Sequence, residues 1–328
     1  MMKHYLRVFN LVILSSTFFI GCLTNHVWAM PADEMVRELN AQVLRVQVKH
    51  NNGSHGFGSA VVIAKDQVVT NCHVVTDARD VEVMVNGVAH VATAIKPDWH
   101  HDLCVLTVEH LDAPIAKMGA SENLKYETAV FTVGYPDKAT EPVNTFGVVK
   151  GMFPMDDSVV IRATSPFRLG ASGGGVFDES GTLVGIITLK SRGNQAQYFY
   201  MPVEWVQALM NRPAQVLGMK SEKPFWAASE EKRPYFMQVV QPFVSKDWKS
   251  LLTVSKAWVA TEPDAAESWF YLAAAEYETK AYDKAEDHFK KALSLNSEHR
   301  QAIEYLNKIA EKTARANVAL NQLALLTD

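Results

Sequence analysis

From residue 41 to about residue 200 the apolar residues fall into short runs, many alternating with polar ones, and each run is closed by a turn signal. That period of two commits this half of the chain to β-structure. "VLRVQVKH" (43–50) alternates cleanly, so one face of the strand is buried and the other is wet. "NNGSHGFG" is a glycine-rich turn, "VEVMVNGVAHV" reads as two strands joined at Asn86-Gly87, and "DLCVLTV" is apolar throughout. Strands this short and this numerous suggest an all-β barrel or sandwich architecture rather than a parallel sheet.

After Pro202 the pattern changes. "VEWVQALM" reads as a short closing helix, and "RPAQVLGMKSEKPFWAASEEKRP" as a turn-rich, charged connector. Everything beyond it is helical. Trp269, Leu272, Ala273, Tyr282, Ala285, Phe289 and Ala292 occupy the positions of a helix-turn-helix unit of the tetratricopeptide (TPR) type, 34 residues long. Stepping back one unit from Ser297 lands on Pro263, with "DWKSLLTVSKAWVATEP" as the second helix of a degenerate earlier unit. "RQAIEYLNKIAEKTARANVALNQLALL" then caps the stack, because a single unit cannot bury its apolar face alone. An ordinary helical bundle is the alternative. The aromatic residues Trp269, Tyr277 and Tyr282, at helical spacing, are expected in the core rather than in a ligand box. The expected division is a signal peptide over 1–29, a β domain over 35–210, a linker over 211–245 and an all-α TPR-like domain over 246–328.

The export reading rests on Lys3 and Arg7 ahead of "VFNLVILSSTFFIG", an apolar run too short for a confident membrane span. Two processing routes fit. "VWA" (27–29) has the small-residue pattern of ordinary cleavage, whereas "FIGC" (19–22) resembles a bacterial lipoprotein box in which Cys22 takes the lipid and tethers the chain to a membrane. Phe19 is unusual for the second pattern, so release after Ala29 into the periplasm or the medium is expected. The formal net charge is −4 and no dense basic run occurs, which excludes the electrostatic footprint of a nucleic-acid binder. A protein or peptide partner is expected. Cleavage after Ala29 leaves Cys72 and Cys104, which in an oxidising compartment either bridge or pack as two small thiols.

Three motifs in the β half carry complementary chemistry: "TNCHVV" with His73, "HHDLCVL" with Asp102 and "GASGGG" with Ser172. A serine hydroxyl is a weak nucleophile at neutral pH and needs an imidazole to take its proton. The imidazole needs a carboxylate to fix its tautomer and stabilise its charged form. The glycines let the backbone N–H groups of Gly170 and Ser172 converge on a developing oxyanion. No metal or organic cofactor is needed. Alone, His73 would read as a core histidine and Ser172 as a turn serine; the ordered set decides for catalysis. Asp98 is a rival to Asp102, but the apolar strand directly after Asp102 suits a buried orienting group better.

Through these motifs, residues 41 to 210 resemble a chymotrypsin-fold (trypsin-like) serine protease, closest to the bacterial HtrA (Deg) branch. "VVTNCHVV" resembles that branch's histidine motif, "DLCVL" its aspartate strand, "VFTVGYP" and "VNTFGVVKG" its mid-domain strands, and "LGASGGGVFDESGTLVGI" its serine loop and following hairpin. The resemblance implies two packed six-stranded antiparallel barrels with an active site between them, and a serine endopeptidase acting on proteins or peptides. Two departures stand out: Ala171 replaces the usual Asn or Asp before the serine, and "SPFRL" replaces the usual approach, so that Pro166, Phe167 and Arg168 help line the specificity pocket. The helical repeats stand where many relatives carry a PDZ-like domain, and are expected to recruit a substrate, a regulator or another copy of the chain. The alternative is an idle or latent protease-fold scaffold that binds partners through those repeats. Ile187 and Leu189 are expected to line the pocket and to favour apolar or small side chains before the scissile bond. "DWHHD" is not expected to hold a metal, since adjacent histidines on an extended segment point to opposite faces.

Overall fold

The computed structural model describes residues 32–137, 139–191, 196–218 and 222–327, so the export segment with Cys22 and Ala29 lies outside the described residues. Helix α1 (Asp33–Gln42) leads into the first barrel, which is built from β1 (Val43–His50), β2 (His55–Ala64), β3 (Gln67–Thr70), β4 (Ala78–Val85), β5 (Val88–Asp98) and β6 (Leu103–Val108). Its strands close in the order β1-β2-β3-β6-β5-β4, and every pairing is antiparallel. A one-turn helix, α2 (Cys72–Val75), interrupts it after β3. The second barrel uses β7 (Ala129–Gly134), β8 (Val143–Met155), β9 (Ser158–Ala163), β10 (Gly175–Asp178), β11 (Leu183–Lys190) and β12 (Tyr198–Pro202), closed in the order β10-β11-β12-β9-β8-β7.

The alternation in β1 explains its place: Leu44, Val46 and Val48 are buried with Val62, Val83 and Leu106 inside the first barrel, while Arg45, Gln47 and Lys49 point outward. The β4–β5 hairpin turns on Asn86 and Gly87, whose φ angles of 49° and 82° are those of the two-residue turn that matches strand twist. The β8–β9 hairpin makes the same turn with Asp156 and Asp157, at φ 45° and 60°. Val130, Val149, Ile161, Val176, Val184 and Tyr200 fill the second barrel.

Helix α3 (Val203–Met210) closes the β half, burying Val203, Trp205, Val206 and Leu209. Residues 211–216 are exposed, whereas the part of the connector from Phe225 to Ser245 packs against its neighbours. It contains 3-10 turns at Phe225–Ala227 and Glu230–Lys232 and two short helices, α4 (Tyr235–Gln238) and α5 (Val240–Ser245). Phe225, Phe236, Val239 and Val240 enter one continuous apolar cluster with Phe153 and Phe199 of the second barrel and with Leu251, Phe270 and Tyr271 of the helices that follow. Those helices are α6 (Trp248–Thr261), capped by Asp247 on Ser250 N, then α7 (Ala266–Glu278), α8 (Tyr282–Leu295) and α9 (Arg300–Thr327). Ala273, Ala285, Phe289 and Ala292 of the repeat pattern are fully buried, because small residues let α7 and α8 approach closely. Trp269, Tyr277 and Tyr282, expected in the core, are instead half-buried at its edge, where Tyr277 and Tyr282 pack edge to face at 5.4 Å.

A buried polar junction holds the helices on the second barrel. Arg162 of β9 donates from Nη1 to Tyr271 Oη at 2.6 Å and from Nη2 to the Lys150 carbonyl at 2.6 Å. Glu267 of α7 sits beside it, 3.5 Å from Nε2 of the fully buried His299. Burial alone would raise the Glu267 carboxyl, but His299 and Arg162 outweigh it and hold the group below the usual carboxylate range. Its stabilising contribution is therefore complete above the unfolded value of 4.5 and is lost as pH falls through the lower folded value. The urea midpoint of the wild type is expected to fall in that acid window and that of Glu267→Gln to stay flatter. At neutral pH, Arg162→Ala is expected to cost about 1–3 kcal/mol, since it leaves the Lys150 carbonyl and Tyr271 Oη without their donor.

Candidate active site

His73 sits in α2, one residue after the buried Cys72, and Asp102 ends the turn between β5 and β6. Both oxygens of this carboxylate, which is 1% exposed, serve the same residue: Oδ1 accepts from His73 N at 2.8 Å, and Oδ2 lies 2.6 Å from His73 Nδ1. An ionised carboxylate only accepts, so a neutral imidazole held this way carries its proton on Nδ1 and presents Nε2 as the acceptor. Nε2 has no hydrogen-bond partner among the described residues. Asp102 is itself tied down, its carbonyl accepting from Cys72 N at 3.2 Å and from Asn71 Nδ2 at 2.9 Å. Asn71 also donates to Thr188 Oγ1 on β11 at 2.9 Å, which bridges the two barrels beside the pair. Asp98, the rival carboxylate, pairs instead with His101 and Arg212. A disulfide joins Cys72 to Cys104, with 5.0 Å between their Cα atoms, so it staples the helix of His73 to the strand that follows Asp102.

The Ser172 loop is held against the first barrel by Ser59 of β2. Ser59 N donates to the Ser172 carbonyl at 2.8 Å, Ser59 Oγ donates to the Gly170 carbonyl at 2.9 Å, and the same Oγ accepts from Tyr135 N at 2.8 Å. Gly173 must be glycine: its φ is +87°, and a Cβ there would lie 2.1 Å from the Ser59 carbonyl and 2.5 Å from Thr70 Oγ1. That contact with Thr70 brings the serine turn to the segment that carries His73. Two peptide planes in the loop have their directions fixed. The Leu169 carbonyl accepts from Asp137 N at 2.5 Å and the Ala171 carbonyl from Gly174 N at 2.9 Å. In a trans peptide the N–H points opposite to the C=O, so the N–H groups of Gly170 and Ser172 face away from these partners. Neither donates to any acceptor among the described residues. No hydrogen bond joins Ser172 Oγ to His73 Nε2 among them either.

A cavity of about 230 Å³ opens beside the loop, lined in part by Pro166, Phe167, Arg168, Ala171, Ile187 and Lys190. Leu189 does not line it, contrary to the sequence expectation. A register shift between Ile187 and Leu189 breaks the period of two, so Leu189 packs on the opposite cluster and Lys190 takes the pocket face. One neighbour of His73 escaped the sequence reading: Trp226, whose ring stands edge-on to the imidazole at 5.8 Å. It belongs to the 211–245 segment, held in place by the Phe225 N–H donating to the His100 carbonyl at 3.0 Å. Its signal was present as "PFW", two large aromatics in an otherwise polar stretch that has no reason to carry them unless they are buried. The reading of "DWHHD" also needs correction. Residues 99–102 form a turn, not an extended segment, and both imidazoles reach the same carboxylate, that of Asp156.

Residues 58–186 match the trypsin-like peptidase domain, and residues 266–299 match the tetratricopeptide repeat. A probable periplasmic serine endoprotease, DegP-like, from Pseudomonas fulva (strain 12-X) is 34% identical over 159 residues, which cover 46% of this chain and 33% of the relative. Its counterpart from Pseudomonas putida (strain GB-1) is 33% identical over 160 residues, with 46% and 33% covered. The chain spans about a third of the length of these curated relatives. The active form of the Rv3671c protease from M. tuberculosis superposes with a TM-score of 0.52 at 22% identity, covering 59% of this chain and 92% of that one, and shares the fold. The chain carries a trypsin-like peptidase domain and a tetratricopeptide repeat on two closed six-stranded barrels followed by helices.

For a chain beginning after Ala29, thiol titration of the denatured, unreduced protein is expected to find no free thiol, and two after reduction. Replacing both cysteines with serine is expected to lower the unfolding free energy by about 2–4 kcal/mol, measured by urea denaturation.

Proposed function

We propose that this chain is an exported serine endopeptidase. Its protease domain spans 35–210, its connector 211–245 and its partner-binding TPR-like region 246–328. Ser172 Oγ attacks a peptide carbonyl while His73 Nε2 takes its proton. Asp102 holds the resulting imidazolium, and the Gly170 and Ser172 N–H groups receive the oxyanion. His73 then returns the proton to the leaving amine, and water repeats the sequence on the acyl-enzyme. Every proton in these steps has a protein donor or acceptor.

One observation carries the reading: a single buried carboxylate spends both oxygens on His73, and among the described residues neither Nε2 nor the Gly170 and Ser172 N–H groups of the serine turn have a partner. The apolar lining of the cavity by Phe167, Ala171 and Ile187 supports small or apolar side chains before the scissile bond. The names of the curated relatives support a periplasmic location, and among the described residues no helix is long and apolar enough to cross a membrane. A latent form is the second reading, favoured by the missing bond between Ser172 Oγ and His73 Nε2. Such bonds often tighten only when substrate binds, so the two readings part by experiment.

A fluorophosphonate probe is expected to label the wild type and not Ser172→Ala. Folded wild type that resists the probe across a pH series, with and without peptide substrates, would reject the endopeptidase. Ser59→Ala frees the Gly170 carbonyl and is expected to lower kcat by about 10²-fold, the scale of one lost oxyanion donor, with little change in KM. Trp226→Ala is expected to keep probe labelling but to alter which residues are accepted next to the scissile bond, read from a peptide-library digest.

A further inference from the structure

We propose that His100, His101 and Asp156 form a site for a divalent transition metal of the zinc class, on the rim of the cleft and outside the hydrolytic machinery. His100 Nε2 lies 3.2 Å from Asp156 Oδ2, and His101 Nε2 lies 3.0 Å from the same oxygen. One ligand atom from each residue falls within 4.8 Å of the others. Tetrahedral zinc, with bonds near 2.0–2.1 Å, separates its ligand atoms by about 3.3 Å, close to both histidine–carboxylate distances, so that seating the ion asks chiefly for the two imidazoles to draw together. Two imidazole nitrogens with one carboxylate select zinc, cobalt or a similar ion over calcium or magnesium, which prefer oxygen. Three protein ligands leave a fourth position for water, and the site is reachable because His100 and Asp156 are 56% and 51% exposed at their side chains.

The surroundings are those of a prepared ligand set rather than of a chance surface pairing. His101 uses its other ring nitrogen on Asp98, with Nδ1 and Oδ2 3.0 Å apart, and Asp98 is in turn held by Arg212 at 3.3 Å. That is the carboxylate–histidine arrangement that orients metal-bound imidazoles and raises their basicity. Trp205 fixes two of the three ligands, since its ring stacks on His101 at 3.7 Å and its Nε1 donates to the Asp156 carbonyl at 3.1 Å. The third, His100, has its carbonyl engaged by Phe225 N and its ring near that of Phe225. The histidines come from the β5–β6 turn and Asp156 from the β8–β9 turn, so a bound ion clips one barrel to the other, one residue from Asp102.

The test uses the chain from residue 30 onward with no added histidines, stripped with a chelator and titrated with Co(II) and Zn(II) alone. One equivalent of Co(II) is expected to produce visible ligand-field absorption and to quench Trp205 emission, and one equivalent of Zn(II) to displace it. His100→Ala and Asp156→Asn are each expected to weaken binding more than Asp98→Asn, which should cost about 10–100-fold as a loss behind the ligands. Absence of stoichiometric binding by the wild type, or unchanged affinity in both His100→Ala and Asp156→Asn, overturns the site. His100 is exposed and its ring is not part of the apolar core, so that variant keeps the test sound even if Asp156→Asn fails to fold. The readouts are independent of peptide hydrolysis, so an inert Ser172 leaves them intact.

Discussion

The buried carboxylate of Asp102 is the constraint around which the β half is arranged. An ionised group taken out of water must be met by donors at close range, or it is protonated or the fold is lost. Here the donors are the backbone and ring of one residue, His73, so satisfying the charge and orienting the imidazole are the same event. The supports radiate from that pair: Asn71 and Cys72 grip the Asp102 carbonyl, Asn71 reaches across to Thr188, and the disulfide closes the ring between Cys72 and Cys104. Ser59 performs the matching task for the serine turn. It ties two carbonyls of that turn to the first barrel, while the Gly170 and Ser172 N–H groups have no partner among the described residues.

The helical repeats are not a tethered appendage. Arg162 and Tyr271 make a buried polar contact where an apolar one would have served, and Phe153, Phe199, Phe236, Phe270 and Tyr271 all belong to one apolar cluster around it, in which Phe236 packs on Phe153 and Phe199. The junction is only partly satisfied, since Arg162 Nε, Glu267 Oε2 and His299 Nε2 have no hydrogen-bond partner among the described residues, so the polar contact and the apolar cluster seat the helices together. The segment leading to them passes over the face of the cleft where Trp226 meets His73.

Legibility in the sequence followed the range of the interactions involved. The Asn86-Gly87 hairpin was readable because both residues tolerate positive φ, and the repeat was readable because its buried alanines recur at fixed spacing. His73, Asp102 and Ser172 were readable as three motifs in order, and the first two meet directly. The place of Leu189 is set by a bulge, which a period of two does not show, and the histidine pair lies on a four-residue turn that contains no glycine or proline to mark it in the sequence. Trp226 and the Asp156 partnership were hidden for a different reason. Each depends on residues more than fifty positions apart, and nothing local marks which distant side chain will arrive. The choice between a bridge and two thiols at Cys72 and Cys104 turned on a 5.0 Å approach of the same long-range kind.

The continuous apolar cluster shared by barrel, connector and helices bears on how such a protein can be recombined. A graft that takes the two barrels and stops at Met210 strips the cover from Phe153 and Phe199, and leaves behind the tryptophan beside His73. An exchange of the helical array for another must carry Phe225 through Val240 with the barrels, because those residues belong physically to the recipient side of the cut. Even a cut after α5, past the last strand and helix of the β half, parts Phe243 from Phe270 and Tyr271 and separates Arg162 from Tyr271.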